Sequence, residues 1–496
     1  MTKHLDIDTT AMRAKILDLA IQGKLTDQRA EDGNAQDLLK DIQAEKEKLI
    51  KEQQIKKEKP LPEIEADEIP FEIPKNWMWA RWGTLSISIK YGYNTFAQKD
   101  GKIKMVRISD IQNNQVNWDS VPFCNIPKEE ITQYLLRKND ILFARTGGTV
   151  GKSYLVSEVP ENVVYAGYLI RTRYSEKLSP QYLKYFMESD LYWSQLKKGT
   201  TTTAQPNCNA KTLGKMVLPL PPLAEQKRIA DKVATLFAQL DTIDKAYEEY
   251  RELQQTMKAK LLDLAVQGKL TDQREEDGNA RDLLKEIQAE KEKLIKEKLI
   301  KEKQIKKEKP LPEITEEEKT FDIPENWMWV RLGEMILNHI GGGTPDKSNE
   351  AYWNGDIPWM SVKDVHQDSM YADRTIDSIT PAGLENSSSN LIEANRLIVV
   401  MRMAVGRAVI NKLPVAINQD LRALFFRDNV TQEYILRIFK ILKFETSGMT
   451  VKGIKLWVLL NTPIPLPPLA EQKRIVAKLD ELLPLCNVPG VYSKGK

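Results

Sequence analysis

The strongest constraint on this chain is that it is written twice. The run AKILDLAIQGKLTDQ from Ala14 returns as AKLLDLAVQGKLTDQ from Ala259, and NAQDLLKDIQAEKEKLIKE from Asn34 returns as NARDLLKEIQAEKEKLIKE from Asn279. FEIPKNWMWAR at Phe71 returns as FDIPENWMWVR at Phe321, and PLPPLAEQKRI stands unchanged at Pro219 and Pro465. Repeats in fixed order predict one architecture built twice. Between the last two landmarks lie segments 82–218 and 332–464, which barely resemble each other. A near-identical frame carrying two divergent inserts suits a protein that reads two different things.

The frame is helical. After Pro222, apolar residues fall at Ile229, Val233, Leu236, Leu240, Ile243, Tyr247 and Tyr250, then at Met257, Leu261 and Leu264. This is a 4-3 heptad whose one polar member is Gln254. With Gly268 as its stop, it predicts a helix over about 222–267, roughly 68 Å long at ~1.5 Å per residue. The stripe reads as a seam packed on another helix. The last repeat restarts it with Ile475, Val476, Leu479, Leu482 and Leu483, and the N-terminal segment resumes it with Met12, Ile16 and Leu19. Asp8, Thr9 or Thr10 would cap that segment. The two tails add up to a second copy of the central helix, opened at its middle. Tails that meet and run antiparallel to the central helix would make the molecule pseudo-twofold.

The expected organisation is a helical segment with a charged arm (1–70), an insert domain (71–220), the central helix with a second arm (221–320), a second insert domain (321–466) and a closing helix (467–496). The Lys/Glu runs at 44–59 and 289–309 read as solvated arms, since the second tolerates an extra LIKEK.

Composition narrows the chemistry. Three scattered cysteines and three scattered histidines in 496 residues fit neither a disulfide framework nor a metal centre. No apolar run nears the ~18–20 residues of a membrane span, and no signal-peptide core opens the chain, which predicts a soluble, cytoplasmic protein without a membrane partner. The net charge of +3 is unevenly spread. Residues 71–220 hold 20 Lys/Arg against 12 Asp/Glu (+8), and 396–455 hold 11 against 4 (+7). Two basic regions suggest two places where a polyanion docks.

RTGGTVGKS, from Arg145 to Ser153, ends like a phosphate-binding loop. The pattern G-x-x-x-x-G-K-[ST] needs a glycine where Thr146 stands, and SYLVSEV after it is β-prone where a helix is required. RLIVVMRMAVGRAVI at 396–410 takes the corresponding place, with Gly406-Arg407 for Gly151-Lys152. The shared feature is a strand, a small-residue turn with a basic residue, and a second strand. Glycines there would let a loop approach a groove closely, with Arg145 and Lys152 meeting phosphates or guanine edges. Gln205, Asn207 and Asn209 carry the amide pairs that suit adenine edges, and GGGTPDK at Gly341 reads as a turn. Trp77/Trp79 and Trp327/Trp329 alternate as core residues of half-buried strands. No catalytic set emerges.

Two inserts framed by PLPPLAEQKRI helices, each opening on IPxNWMW, with FARTGGTVGKS in the first, resemble the specificity subunit of type I restriction–modification systems over essentially the whole chain. The resemblance implies an α+β fold, with two mixed α/β target-recognition domains separated by an antiparallel pair of long coiled-coil-like helices. Each domain is then expected to read half of a split, asymmetric site in double-stranded DNA through the major groove. It also implies two modification (methyltransferase) subunits using S-adenosylmethionine, and restriction subunits using ATP and Mg2+. No catalysis is expected in this chain. Candidate DNA contacts are Lys104, Arg107, Arg145, Thr146, Lys152, Gln205 and Asn207 in the first insert. In the second they are Thr344, Lys347, Lys363, Arg402, Arg407, Asn418 and Gln419. The rival readings are a coiled-coil scaffold without DNA binding and a P-loop nucleotide-binding enzyme.

Overall fold

In the computed structural model, which describes residues 7–199, 207–294, 296, 310–367, 369–442, 444 and 453–486, the repeated segments become repeated contacts. Helix α1 (Thr9–Ile21) is capped by Asp8, whose carboxylate accepts from Ala11 N at 2.8 Å. Helices α2 (Ala35–Lys51), α3 (Leu223–Val266), α4 (Ala280–Leu294) and α5 (Leu469–Leu482) complete the frame. At 44 residues, α3 is about 66 Å long. Gly268 lies just past its end at φ +67°, the left-handed conformation that stops a helix.

The chain divides into two compact units, Met1–Tyr247 and Glu248–Lys496, and the boundary falls inside α3. In the first unit α1 runs antiparallel to the start of α3. Thr9 Oγ1 donates to Asp244 at 2.7 Å, Arg13 bonds Asp241 and Asp244 at 2.8 and 2.9 Å, and Gln28 reaches Glu225 at 2.8 Å. Only part of the expected stripe is buried. Ile229, Val233, Leu240, Ile475 and Leu479 are buried, whereas Leu236, Tyr247, Leu261, Leu264, Ile16 and Leu19 are half-buried, and Met12 and Ile243 are exposed. The most buried face of α1 is Leu17, Ala20 and Ile21, turned into the insert's core. These helices therefore serve two faces, where a heptad count registers one. Residues 1–6 and 487–496, the expected meeting tails, lie outside the described residues, as do Gln205 and most of the LIKEK region.

The buried frame contacts are the same in both units. Trp77 Nε1 donates to Glu225 at 2.8 Å, and Trp327 Nε1 to Glu471 at 2.7 Å. Gln273 and Thr271 donate to Glu471 as Gln28 and Thr26 do to Glu225. Burial pushes the Glu471 carboxyl up, against the pull of these donors. Arg228 forks onto Asp32 with both bonds at 2.6 Å, and Arg474 onto Asp277 at 2.6 and 2.5 Å, holding both aspartates below the usual carboxylate range.

Over their described part the Lys/Glu runs carry no buried residue, in keeping with the solvated reading, while contacts at and just ahead of each run's start dock the helices that carry them. Ala35 and Ile42 of α2, and Ala280, Leu283, Leu284 and Ile287 of α4, are buried. Lys46 Nζ donates to the carbonyls of Gly83 and Thr84 at 3.0 and 3.3 Å, and Lys177 pairs with Asp41 at 2.9 Å. The apolar residues that dock each helix stand just ahead of its charged run.

The inserts share a topology that their sequences conceal. In the first, an antiparallel sheet has the order Ser86–Tyr91, Leu169–Tyr174, Ile141–Ala144, Ser153–Leu155. In the second, Asn338–Gly341, Leu421–Phe425, Leu397–Val400 and Ala408–Asn411 follow the same order, extended by Tyr371–Ala372. Parallel pairs recur too: Ile103–Val106 with Val163–Tyr165, and Trp353–Met360 with Val415–Ile417. Each insert enters on a strand paired with the strand by which it leaves, Met78↔Leu220 and Met328↔Leu466. Fully buried Tyr182 and Tyr434 donate to the carbonyls of Pro219 and Pro465 at 2.7 and 3.0 Å, fastening both inserts to the PLPPL segment.

Buried Arg331 closes the second unit's entry, donating to the carbonyls of Pro312, Glu313 and Asn461 and to both oxygens of Glu318 at 2.6 and 2.8 Å. The guanidinium holds the Glu318 carboxyl down at about 2, against an ordinary 4.5. Since the folded-state value is depressed, the stabilisation is present above about 4.5 and lost as pH falls toward about 2. Glu318→Gln should lower the thermal midpoint at neutral pH and converge on the parent through that window. A gap that stays constant across it contradicts the assignment.

Candidate nucleic-acid interface

The two basic turns are hairpin turns, as the strand–turn–strand reading expected. Phe143 pairs with Ser153 in the first insert, and Val399 with Ala408 in the second. Lys152 is followed by the strand Ser153–Leu155 and not by the helix that a phosphate-binding loop requires.

The glycines of the first turn act differently from one another. Gly147 and Gly151 have φ of +75° and +91°. A Cβ at Gly151 would lie 2.1 Å from Leu196 Cδ2 and 2.7 Å from the Trp193 ring, and Tyr192 OH donates to the Gly151 carbonyl at 2.6 Å. Its close approach is therefore to the protein's own helix Asp190–Gly199, not to a groove. At Gly147 and Gly148 nothing stands within 4 Å.

Around this turn, the Arg145 guanidinium lies 4.8 Å from the Tyr91 ring centroid, and Thr146 pairs with Asn207 in an isolated bridge. Lys152 is exposed and lines a cleft of about 490 Å³ with Asn113, Asn114, Thr149 and Trp193. Asn113 and Asn114, at φ +50° and +57°, make the two-residue turn between Ile111–Gln112 and Gln115–Val116. Sequence reasoning missed this second hairpin, although Asn-Asn between Ile-Gln and Gln-Val is a usable signal.

Other candidates are committed to the fold. Lys104 Nζ donates to the Trp118 carbonyl, and Arg107 forks onto Asp110 at 3.0 and 2.7 Å. Asn209 caps the helix Ala210–Lys215 by accepting from Thr212 N at 2.9 Å, which takes up the amide oxygen read above as a base contact.

In the second insert the structure gathers what the sequence scatters. Thr344, Lys347, Lys363, Asn418 and Gln419 line one cleft of about 470 Å³, walled by Trp353 and Trp359. Gln419 bonds Thr344 across it. Asn418 is buried and accepts from Asp420 N at 3.0 Å, so it shapes the cleft from within. Arg402 pairs with Asp420 at 2.6 Å, and Arg407 is half-buried in the turn. The GGGTPDK glycines pack against their neighbours: a Cβ at Gly342 would meet the Ile417 carbonyl at 1.9 Å. Among the described residues, no group of three or more His, Cys, Asp or Glu is placed to hold a metal, and no helix is long and apolar enough to cross a membrane.

Duplicated frames, two β-rich inserts and basic hairpins match the type I restriction modification DNA specificity domain, whose family model covers residues 93–250 and 324–487. The chain belongs to that family: it is a specificity subunit with two target-recognition domains, a targeting rather than a catalytic component. It is 26% identical to the type I restriction enzyme EcoEI specificity subunit of Escherichia coli and 27% identical to the EcoAI specificity subunit of the same species. Each alignment covers 96% of this chain and 89% of the relative. A chain from a structural study of complex assembly and conformational transition in the type I R-M system shares the fold, with a TM-score of 0.54 at 24% identity over 84% of this chain and 92% of that one.

Substituting the two glycines separates their roles. Gly151→Ala places a side chain at φ +91° against Leu196 and should cost more than about 1 kcal/mol in thermal or denaturant unfolding. Gly148→Ala meets nothing and should stay within about 0.5 kcal/mol of the parent. Equal costs would show that contact with the helix below does not set the turn.

Proposed function

We propose that each target-recognition domain reads one half of a bipartite, asymmetric double-stranded DNA site. The first would use Arg145, Thr146, Lys152 and Asn207, and the second the cleft holding Lys347, Lys363 and Gln419 together with the turn of Arg402 and Arg407. The carrying observation is one hairpin at one topological position in two divergent domains, each time with a basic residue in its turn. The net charges of +8 and +7 supply the attraction to phosphates, and the amides supply base readout. The frame helices would dock two modification subunits that use S-adenosylmethionine, with restriction subunits adding ATP- and Mg2+-dependent cleavage. Helix α3 would set the gap between half-sites.

The test is to exchange residues 82–218 for the insert of another family member and map methylated bases in cells that also carry the modification subunit. One half of the site should change while the other half and the gap stay fixed, because α3 is untouched. A change in both halves refutes independent reading, and a changed gap shows that the insert sets the spacing.

Lys152→Ala tests a single contact. It should weaken binding to all duplexes to a similar extent and reduce the slope of log affinity against log salt by about 1. An unchanged slope removes Lys152 from the phosphate contacts.

A further inference from the structure

The turn of the second hairpin holds a backbone conformation that its side chain disfavours. The two turns correspond through their pairing. Thr146 bridges Asn207 as Arg402 bridges Gly453, and the amides of Cys208 and Ile454 donate to the carbonyls of Arg145 and Met401. That register makes Met403 the counterpart of Gly147, and their φ values are +71° and +75°. In the first domain the left-handed position carries glycine, the residue that adopts it freely. In the second it carries methionine, 69% exposed.

A side chain both strained and unburied stabilises neither its own backbone nor a core. An observed outlier of this kind points toward function. Met403 lines the cleft already described, beside Trp353, Trp359, Lys347, Lys363 and Gln419. The lysines suit phosphates and the glutamine suits a base edge, which leaves the methionine as the exposed apolar element on the hairpin's tip. In the major groove the apolar landmark is the C5 methyl of thymine. An unbranched thioether chain is long and adaptable enough to meet it.

We propose that Met403 is a specificity-determining residue of the second domain, contacting a thymine methyl in its half-site from the major groove. The inference rests on the second insert reading half of a DNA site.

The test uses the full chain assembled with its modification subunits and a duplex carrying the mapped site. Each thymine of the second half-site is replaced in turn by deoxyuridine, which lacks only the methyl. One replacement should weaken binding by roughly three- to ten-fold, the scale of one buried methyl group. That sensitivity should vanish in Met403→Gly, which should bind the unmodified duplex more weakly by the same factor. Met403→Gly should also unfold at an equal or higher temperature, because glycine relieves the backbone; a structural role would give the opposite. Met403→Ala keeps the strain and loses the reach, so it should lose affinity without gaining stability. Equal deoxyuridine sensitivity in parent and Met403→Gly, no responsive thymine, or unchanged affinity on Met403→Gly each overturns the proposal. If exchanging 332–464 leaves the second half of the methylated site unchanged, the reading of that insert fails first. If that exchange moves the half-site while Met403→Gly changes nothing, only the role of Met403 falls.

Discussion

A carboxylate is an expensive group to bury, and this protein buries the same one twice. Glu225 and Glu471 sit at the start of their helices with no exposed surface, each bonded by an indole N–H and by side chains of a QGKLTDQ loop. Their burial is tolerable only with these donors in place. A single glutamate thus ties three segments remote in sequence: the end of one frame helix, the strand that opens an insert, and the start of the next frame helix. The Arg228–Asp32 and Arg474–Asp277 forks repeat the tie one turn further along. Tyr182 and Tyr434 then hang the inserts on the same place.

That arrangement explains which parts were legible in the sequence. The frame was, because each of its buried polar groups needs a particular partner, so both copies keep the same letters. The helix stop at Gly268 and the burial of Trp77 and Trp327 followed from local chemistry, although both stand one residue ahead of the strands that carry Trp79 and Trp329. The kinship of the inserts was not legible. A strand requires only apolar residues at alternating or buried positions, and many sequences supply those. One anchor was visible in hindsight: Tyr182 and Tyr434 stand in similar runs, QYLKYF and EYILRIF, 37 and 31 residues before the proline that accepts from each.

The candidate site's residues were legible as types, and their hydrogen-bond partners were not. Basic and amide residues mark the loops that the structure gathers at the hairpins and clefts, and among them Lys104, Arg107, Asn209 and Asn418 bond to neighbouring groups of the fold. Composition registers that a lysine is present, not whether its ammonium is already spent on a carbonyl. The Asn113–Asn114 turn and the strained Met403 depend on backbone angles, which the letters announce weakly for asparagine and not at all for methionine.

The equivalence of the two buried glutamate clusters has a genetic corollary. A crossover between the repeated frame segments joins a helix start from one copy to a loop from the other, and every bond of the tie finds its partner unchanged. With a second crossover on the other side of an insert, the product carries that insert in both positions of an intact frame. Its two halves would then recognise the same short sequence, and a discriminating reader of two words would become a reader of one word repeated. The duplicated frame therefore makes the chain tolerant of exactly the rearrangements that rewrite its vocabulary.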